Sequence, residues 1–126
     1  MINIALKIVL GLAGTLFLFN GVRWLVVPGE IAPAVGLPVA EGLGLSTLVG
    51  DLASFFMAMG SFVLIALITE RRTWYYPPIM MLTITALGRI IAWLLHDATL
   101  AVGPIRVEVV VALLLFFASR RLPKEA

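Results

Sequence analysis

Cysteine is absent from this chain, histidine occurs once, as His96, and charged residues make up only 13% of the sequence. Without cysteine there can be no disulfide, thiolate metal site or cysteine nucleophile. A single histidine cannot supply a multi-histidine metal centre within one chain. No Gly-rich phosphate loop, haem motif or metal-ligand spacing occurs either, so the sequence predicts no metal and no other cofactor.

Charge is too scarce to cover the surface of a soluble domain, whereas hydrophobic residues make up 62% of the 126 residues. Four apolar segments use nearly all of the chain, at about residues 4–27, 46–69, 77–95 and 104–118. A helix needs about 20 apolar residues to cross the hydrocarbon core of a bilayer. We therefore predict an all-α fold, an integral membrane antiparallel four-helix bundle that forms a single domain over residues 1–126. Ser46 is the expected N-cap of the second span, and a short interfacial helix is expected near residues 31–35.

Basic residues are concentrated at one end of the predicted bundle. They are Lys7, the neighbours Arg71 and Arg72 between spans two and three, and Arg120, Arg121 and Lys124 in the C-terminal tail. Under the positive-inside rule, this distribution places both termini in the cytoplasm. Because basic residues at span ends set topology, the net charge of +2 does not indicate nucleic acid as a partner.

Each of the four spans carries an ionisable residue, in chain order Arg23, Asp51, Arg89 and Glu108. A charge in the middle of a membrane costs about 2.5–3.5 kcal/mol on insertion scales, and two cations with two anions can remove much of that cost by pairing. Since consecutive spans run in opposite directions, all four residues fall in the outer half of the membrane. We expect Arg23 to lie near Asp51 and Arg89 near Glu108, with the two cross pairs as alternatives in a closed bundle.

Asn20, Trp93 and His96 are expected at the same depth. Asn20 shares a helix face with Arg23, and Trp93 shares one with Arg89 and with His96, because residues three and four apart are neighbours on a helix. The predicted binding site therefore comprises seven residues: Arg23, Asp51, Arg89, Glu108, His96, Asn20 and Trp93.

Several functions fit this cluster. The first hypothesis is a binding or accessory module, in which a polar cavity holds the head of an amphiphile and Arg23 and Arg89 are available for an anionic headgroup or carboxylate. The same face could instead dock onto a larger membrane complex or a second copy of the chain. The charges could also act only as a structural lock. Membrane lipids are the expected partners in each case.

Two alternatives involve chemistry or transport. An intramembrane enzyme would use Asp51, Glu108 and His96 for proton transfer on a lipid-like substrate, but no spacing signature specifies such residues, and we lean away from an enzyme. A small proton-coupled transporter would need access from both sides of the membrane. The nearly charge-free inner half of the predicted bundle disfavours that access.

Four short motifs occur in order along the chain: GVRWLVVP at the end of span one, GD at the start of span two, ALGR late in span three and VEVVVALLL at the start of span four. Together they resemble an uncharacterised bacterial family of small four-span proteins, a domain of unknown function that is distantly similar to DoxX-like membrane proteins. The resemblance implies an antiparallel four-helix bundle in the bacterial inner membrane and supports the four charged positions, without implying an established activity. Small multidrug exporters are of similar size but resemble the chain poorly, because their essential glutamate lies in the first span, where this chain has none.

Overall fold

The computed structural model describes residues 1–124, and over that range its secondary structure is helical, without strands. The helices are Ile2–Val26 (α1), Pro28–Ala34 (α2), Gly42–Thr69 (α3), Tyr76–Leu95 (α4) and Val102–Arg121 (α5), with a 3-10 turn at Arg72–Tyr75 before α4. Four helices are long and apolar enough to cross a membrane by length and composition: α1, α3, α4 with its preceding turn, and α5. The all-helical part of the fold prediction is therefore confirmed.

The short helix and two of the long ones differ in extent from the sequence prediction. α2 begins at Pro28, because proline suits the first turn, where its missing N–H needs no partner. The prediction of Ser46 as an N-cap is wrong, since α3 begins at Gly42 and Glu41 takes the N-cap position in extended backbone. α5 has 20 residues, about 30 Å of helix, so it is longer than the predicted fourth span.

Glycines bring α1 and α3 into close contact. A Cβ atom added to Gly14 would lie 3.1 Å from Val63 and 3.3 Å from the carbonyl oxygen of Gly60, and one added to Gly21 would overlap Met57. Small residues at such contacts allow two helix backbones to approach closely. Residue numbers fall on α3 as they rise on α1, so these two helices run in opposite directions.

The larger apolar core lies at the end of the fold that contains Tyr75, hereafter the Tyr75 end. Its buried residues come from all four long helices, the 3-10 turn and the C-terminal tail: Leu6, Leu10, Met59, Val63, Ala66, Tyr75, Leu82, Leu115, Ala118 and Leu122. Close packing of these side chains stabilises the contacts among the helices through van der Waals attraction. The four long helices are therefore held together at the Tyr75 end.

Polar contacts close the same end. The Nε atom of Arg72 donates a hydrogen bond of 2.9 Å to the carbonyl oxygen of Ser119. The Glu70 carboxylate lies 3.4 Å from the Lys124 ammonium and 3.9 Å from that of Lys7. These contacts connect the end of α3 and the 3-10 turn with α1, α5 and the C-terminal tail.

The opposite end, hereafter the Asp51 end, has a smaller core formed by α1, α2 and α3. Trp24, Ile31, Ala32 and Ala53 are buried there. α4 and α5, which the structure describes in full, contribute no residue to this smaller cluster. Space therefore remains between the α1–α3 pair and the α4–α5 pair at the Asp51 end.

Candidate functional site

A partly enclosed cavity of about 520 Å³ occupies that space. Leu52, Leu82 and Val107 contribute to its apolar wall. Pockets that bind small molecules are commonly about 300–1,000 Å³, largely apolar, and carry a few polar groups that orient the ligand. This cavity has those features, because three ionisable side chains interrupt its wall: Asp51, Arg89 and Glu108.

Arg89 and Glu108 form an ion pair between α4 and α5. The Nε atom of Arg89 donates to both carboxylate oxygens of Glu108, at 2.9 Å to Oε2 and 3.1 Å to Oε1. The Glu108 side chain is 11% exposed, whereas that of Arg89 is 40% exposed. The prediction that Arg89 lies near Glu108 is therefore confirmed. Since the carboxylate is largely buried, loss of the arginine would leave a desolvated charge without a partner.

Asp51 is the third ionisable residue of the cavity wall, and within residues 1–124 it takes part in no ion pair. Its predicted partner, Arg23, lies elsewhere. The Arg23 guanidinium is 6.0 Å from the ring centroid of Phe19 on its own helix, and Arg23 does not line the cavity. The expected Arg23–Asp51 ion pair is not formed.

The packing of α1 against α3 explains this separation. Gly21 faces α3, where a Cβ atom would lie 3.1 Å from the carbonyl oxygen of Ala53. Arg23 follows Gly21 by two positions and Asp51 precedes Ala53 by two. At 3.6 residues per turn, two positions correspond to about 200° around a helix. The side chains of Arg23 and Asp51 therefore both point away from the α1–α3 interface, where they would have to meet to form a pair.

The remaining predicted site residues do not line the cavity. Asn20 is half-buried on α1, and Trp93 is exposed near the end of α4. His96 is exposed and is the C-cap residue of α4. The structure thus gathers three of the predicted residues around one cavity and leaves Arg23, Asn20, Trp93 and His96 outside its lining.

Three phenylalanines of the cavity wall were missed by sequence reasoning. The rings of Phe17 and Phe56 are stacked with centroids 6.3 Å apart, and Phe55 meets Phe56 edge-on at 5.3 Å. A signal was present in the sequence, because Phe55 lies four positions after Asp51 and therefore on the same helix face. The three phenylalanines thus line the same cavity as the ionisable groups.

A second, smaller cavity of about 250 Å³ lies between α4 and α5. Its wall is mostly apolar and includes Leu87, Ile90 and Val109. Glu108 lines both this smaller cavity and the larger one. The Arg89–Glu108 ion pair therefore stands where the two spaces approach each other.

Residues 1–124 contain no group of three or more His, Cys, Asp or Glu side chains placed to hold a metal ion. Comparison with known protein families, curated proteins and solved structures finds no match to this chain. The functional argument therefore depends on the geometry and chemistry of the larger cavity.

Proposed function

We propose that this chain is a small integral membrane protein that binds an amphiphile in the larger cavity at its Asp51 end. The observation that carries the proposal is the composition of that cavity wall. Apolar and aromatic side chains surround a space of about 520 Å³, and Asp51, Arg89 and Glu108 are the charged groups on the same wall. An amphiphile matches both parts, because its apolar body can contact the wall while its head contacts the charged groups.

The proposal includes a membrane location and an orientation. Large apolar side chains such as Leu12, Ile68 and Ile84 are exposed on the outside of the fold, as expected of helices that contact lipid. We propose an antiparallel four-helix bundle in the bacterial inner membrane, related to the uncharacterised four-span family that the sequence resembles. The positive-inside rule then places the Tyr75 end and both termini at the cytoplasmic side. The cavity falls in the outer half of the membrane, where lipids of the outer leaflet can reach it.

The geometry favours binding over proton-transfer chemistry. His96 is exposed and lies outside the cavity lining, and the Glu108 carboxylate accepts two hydrogen bonds from Arg89. An acid–base pair needs a proton donor or acceptor within hydrogen-bond reach of the reacting group. The three residues considered for an enzyme are therefore not assembled around one reacting position.

Mass spectrometry of the protein extracted with its native lipids tests the proposal, with two valine variants as a matched pair. Val107 lines the larger cavity, whereas Val110, on the same helix, lines neither cavity, and both are exposed. We expect a bound amphiphile in the wild-type protein and in Val110→Trp, and its loss from Val107→Trp, because an indole at the cavity wall obstructs the space that the ligand would occupy.

Retention of the amphiphile in folded Val107→Trp, or its absence from the wild type, would contradict the binding proposal. A different outcome would favour the accessory role. If Val107→Trp releases a co-purifying membrane protein and retains its lipids, the cavity face is a docking surface for a larger complex.

A further inference from the structure

We infer that the head of the bound amphiphile carries an ammonium group. This inference rests on the proposed binding function and adds the chemical class of the ligand. It follows from the balance of charge around the larger cavity and from the aromatic residues beside it.

The charged groups of the cavity wall are two carboxylates and one guanidinium. The positive charge of Arg89 is balanced by Glu108, since the Nε atom of Arg89 donates to both carboxylate oxygens. Asp51 takes part in no ion pair within residues 1–124, and Arg23 lies outside the lining. The wall therefore carries a net negative charge that resides on Asp51. Asp51 is exposed and therefore accessible to a ligand, and a cation complements its charge.

The aromatic residues favour an ammonium group in particular. Phe17, Phe55 and Phe56 line the same wall as Asp51. Aromatic ring faces attract cations by their quadrupole, and quaternary ammonium groups are commonly bound in this way. Since an ammonium carries alkyl substituents, it also loses less by leaving water for an apolar wall than a small, strongly hydrated metal cation does. The combination of one carboxylate and several phenyl rings suits an ammonium better than an inorganic cation.

An anionic head fits this cavity less well. The sequence suggested a clamp formed by Arg23 and Arg89, but the first is not in the wall and the second is paired with Glu108. An anion would approach Arg89 in the presence of the Asp51 and Glu108 carboxylates, and like charges repel. The wall thus disfavours the carboxylate or phosphate that two free arginines would attract.

The test compares two probes of equal chain length and opposite charge, hexadecyltrimethylammonium and hexadecanesulfonate. Equilibrium dialysis measures their binding to the purified full chain in dodecyl maltoside, an uncharged detergent. We expect the wild-type protein to bind the ammonium probe roughly five- to tenfold more tightly than the sulfonate, because Asp51 attracts the ammonium and repels the sulfonate. This comparison needs no variant, so it does not depend on whether a mutant folds.

Variants then test whether the preference for the ammonium probe depends on Asp51. Asp51→Asn is expected to reduce the affinity for the ammonium probe roughly three- to fivefold, in protein that circular dichroism shows to be folded. Asp97→Asn is the matched control, because it makes the same chemical change at an exposed residue outside the cavity lining. It should leave both affinities unchanged.

Lipid competitors distinguish the source of the ammonium group. Displacement of the probe by phosphatidylethanolamine, but not by phosphatidylglycerol with the same acyl chains, supports a membrane lipid as the ligand. Displacement by hexadecylamine alone supports a free lipophilic amine. Equal displacement by phosphatidylethanolamine and phosphatidylglycerol overturns the ammonium inference.

Failure of the inference is distinguishable from failure of the binding proposal. If the sulfonate binds as tightly as the ammonium probe and Val107→Trp abolishes both, the cavity binds amphiphiles and the charge assignment is wrong. If Val107→Trp reduces neither affinity, the probes bind outside the cavity and the binding proposal itself fails.

Discussion

Gly60 of α3 lies so close to Gly14 of α1 that a Cβ atom at position 60 would overlap the carbonyl oxygen of Gly14. The obstacle is backbone, which cannot rotate away as a side chain can. We therefore expect Gly60→Ala to reduce the free energy of unfolding by about 1–3 kcal/mol, the usual cost of overpacking. Unfolding in mixed micelles, followed by circular dichroism, measures the change.

Gly50→Ala is the control for this prediction, because Gly50 lies on the same helix and a Cβ atom there would meet nothing within 4 Å. Replacing an unhindered helical glycine by alanine is expected to raise stability by about 0.5–1 kcal/mol. If Gly60→Ala is no more destabilising than Gly50→Ala, the α1–α3 contact is looser than described.

The second prediction concerns the coupling of Arg89 with Glu108. Arg89→Gln is expected to cost about 3 kcal/mol of unfolding free energy, because it leaves the largely buried Glu108 carboxylate unpaired. Glu108→Gln should cost less, because the Arg89 side chain that it leaves is 40% exposed, and the double variant should lose less than the two single losses combined. A double-mutant cycle of unfolding free energies measures the coupling.

The Arg23–Asp51 cycle provides the contrast, since these residues do not pair with each other. Arg23→Gln and Asp51→Asn should have effects that add to within about 0.5 kcal/mol, as is usual for independent sites. A strong coupling in this cycle, or none between Arg89 and Glu108, would be incompatible with the described contacts.

A third prediction compares Asp97 with Glu70, both of which have φ of 57° in the left-handed region. The N–H of Ala98 bonds to the carbonyl oxygen of Ala92 at 3.1 Å, so Asp97 occupies the helix-end position that favours glycine. Asp97→Gly is expected to raise the free energy of unfolding by about 1 kcal/mol through relief of left-handed strain.

Glu70→Gly should stabilise less than Asp97→Gly, because it also removes the ion pairs with Lys7 and Lys124. The difference between the two variants should shrink in high salt, since salt screens exposed ion pairs. Thermal unfolding in detergent at two salt concentrations measures it, and a larger gain for Glu70→Gly would refute the prediction.

The fourth prediction tests the proposed orientation, for which the lack of cysteine is an advantage. Val39 in the α2–α3 connection and Thr73 in the 3-10 turn are both exposed, and each can carry a single cysteine. A membrane-impermeant maleimide should label Val39→Cys in intact cells and Thr73→Cys only after permeabilisation, since basic residues surround the Tyr75 end. The reverse labelling pattern would place the cavity in the cytoplasmic half.

The confirmed ion pair shows what sequence alone can predict about this fold. Arg89 and Glu108 belong to consecutive helices joined by a short connection, and Arg72 contacts Ser119 at the other end of the same pair. Matched depth on neighbouring helices predicted this pair, with the two cross pairs as alternatives. The helical structure of the four spans was also predictable, because it depends on the apolar content of each span and not on how the spans pack.

The rotation of α1 and α3 about their own axes was not predictable in the same way. Depth alone suggested that Arg23 would reach Asp51, but the contact of Gly21 with Ala53 and Met57 turns both charges away from that interface. The same rotation brings phenylalanines into the cavity wall. The close packing of glycines between α1 and α3 determines how each helix is rotated. The spacing of glycines in the sequence does not show which of them lie at that contact.

The larger core joins the α4–α5 pair to the α1–α3 pair toward the Tyr75 end and reaches Leu82 on α4 and Leu115 on α5. Beyond these two residues α4 continues to Leu95 and α5 starts at Val102, so about 20 Å of each helix lies past the core. These segments form a lever: a small tilt of the α4–α5 pair about the core would change the width of the larger cavity while the core residues keep their neighbours. The proposed site would in this way accommodate amphiphiles of different cross-section.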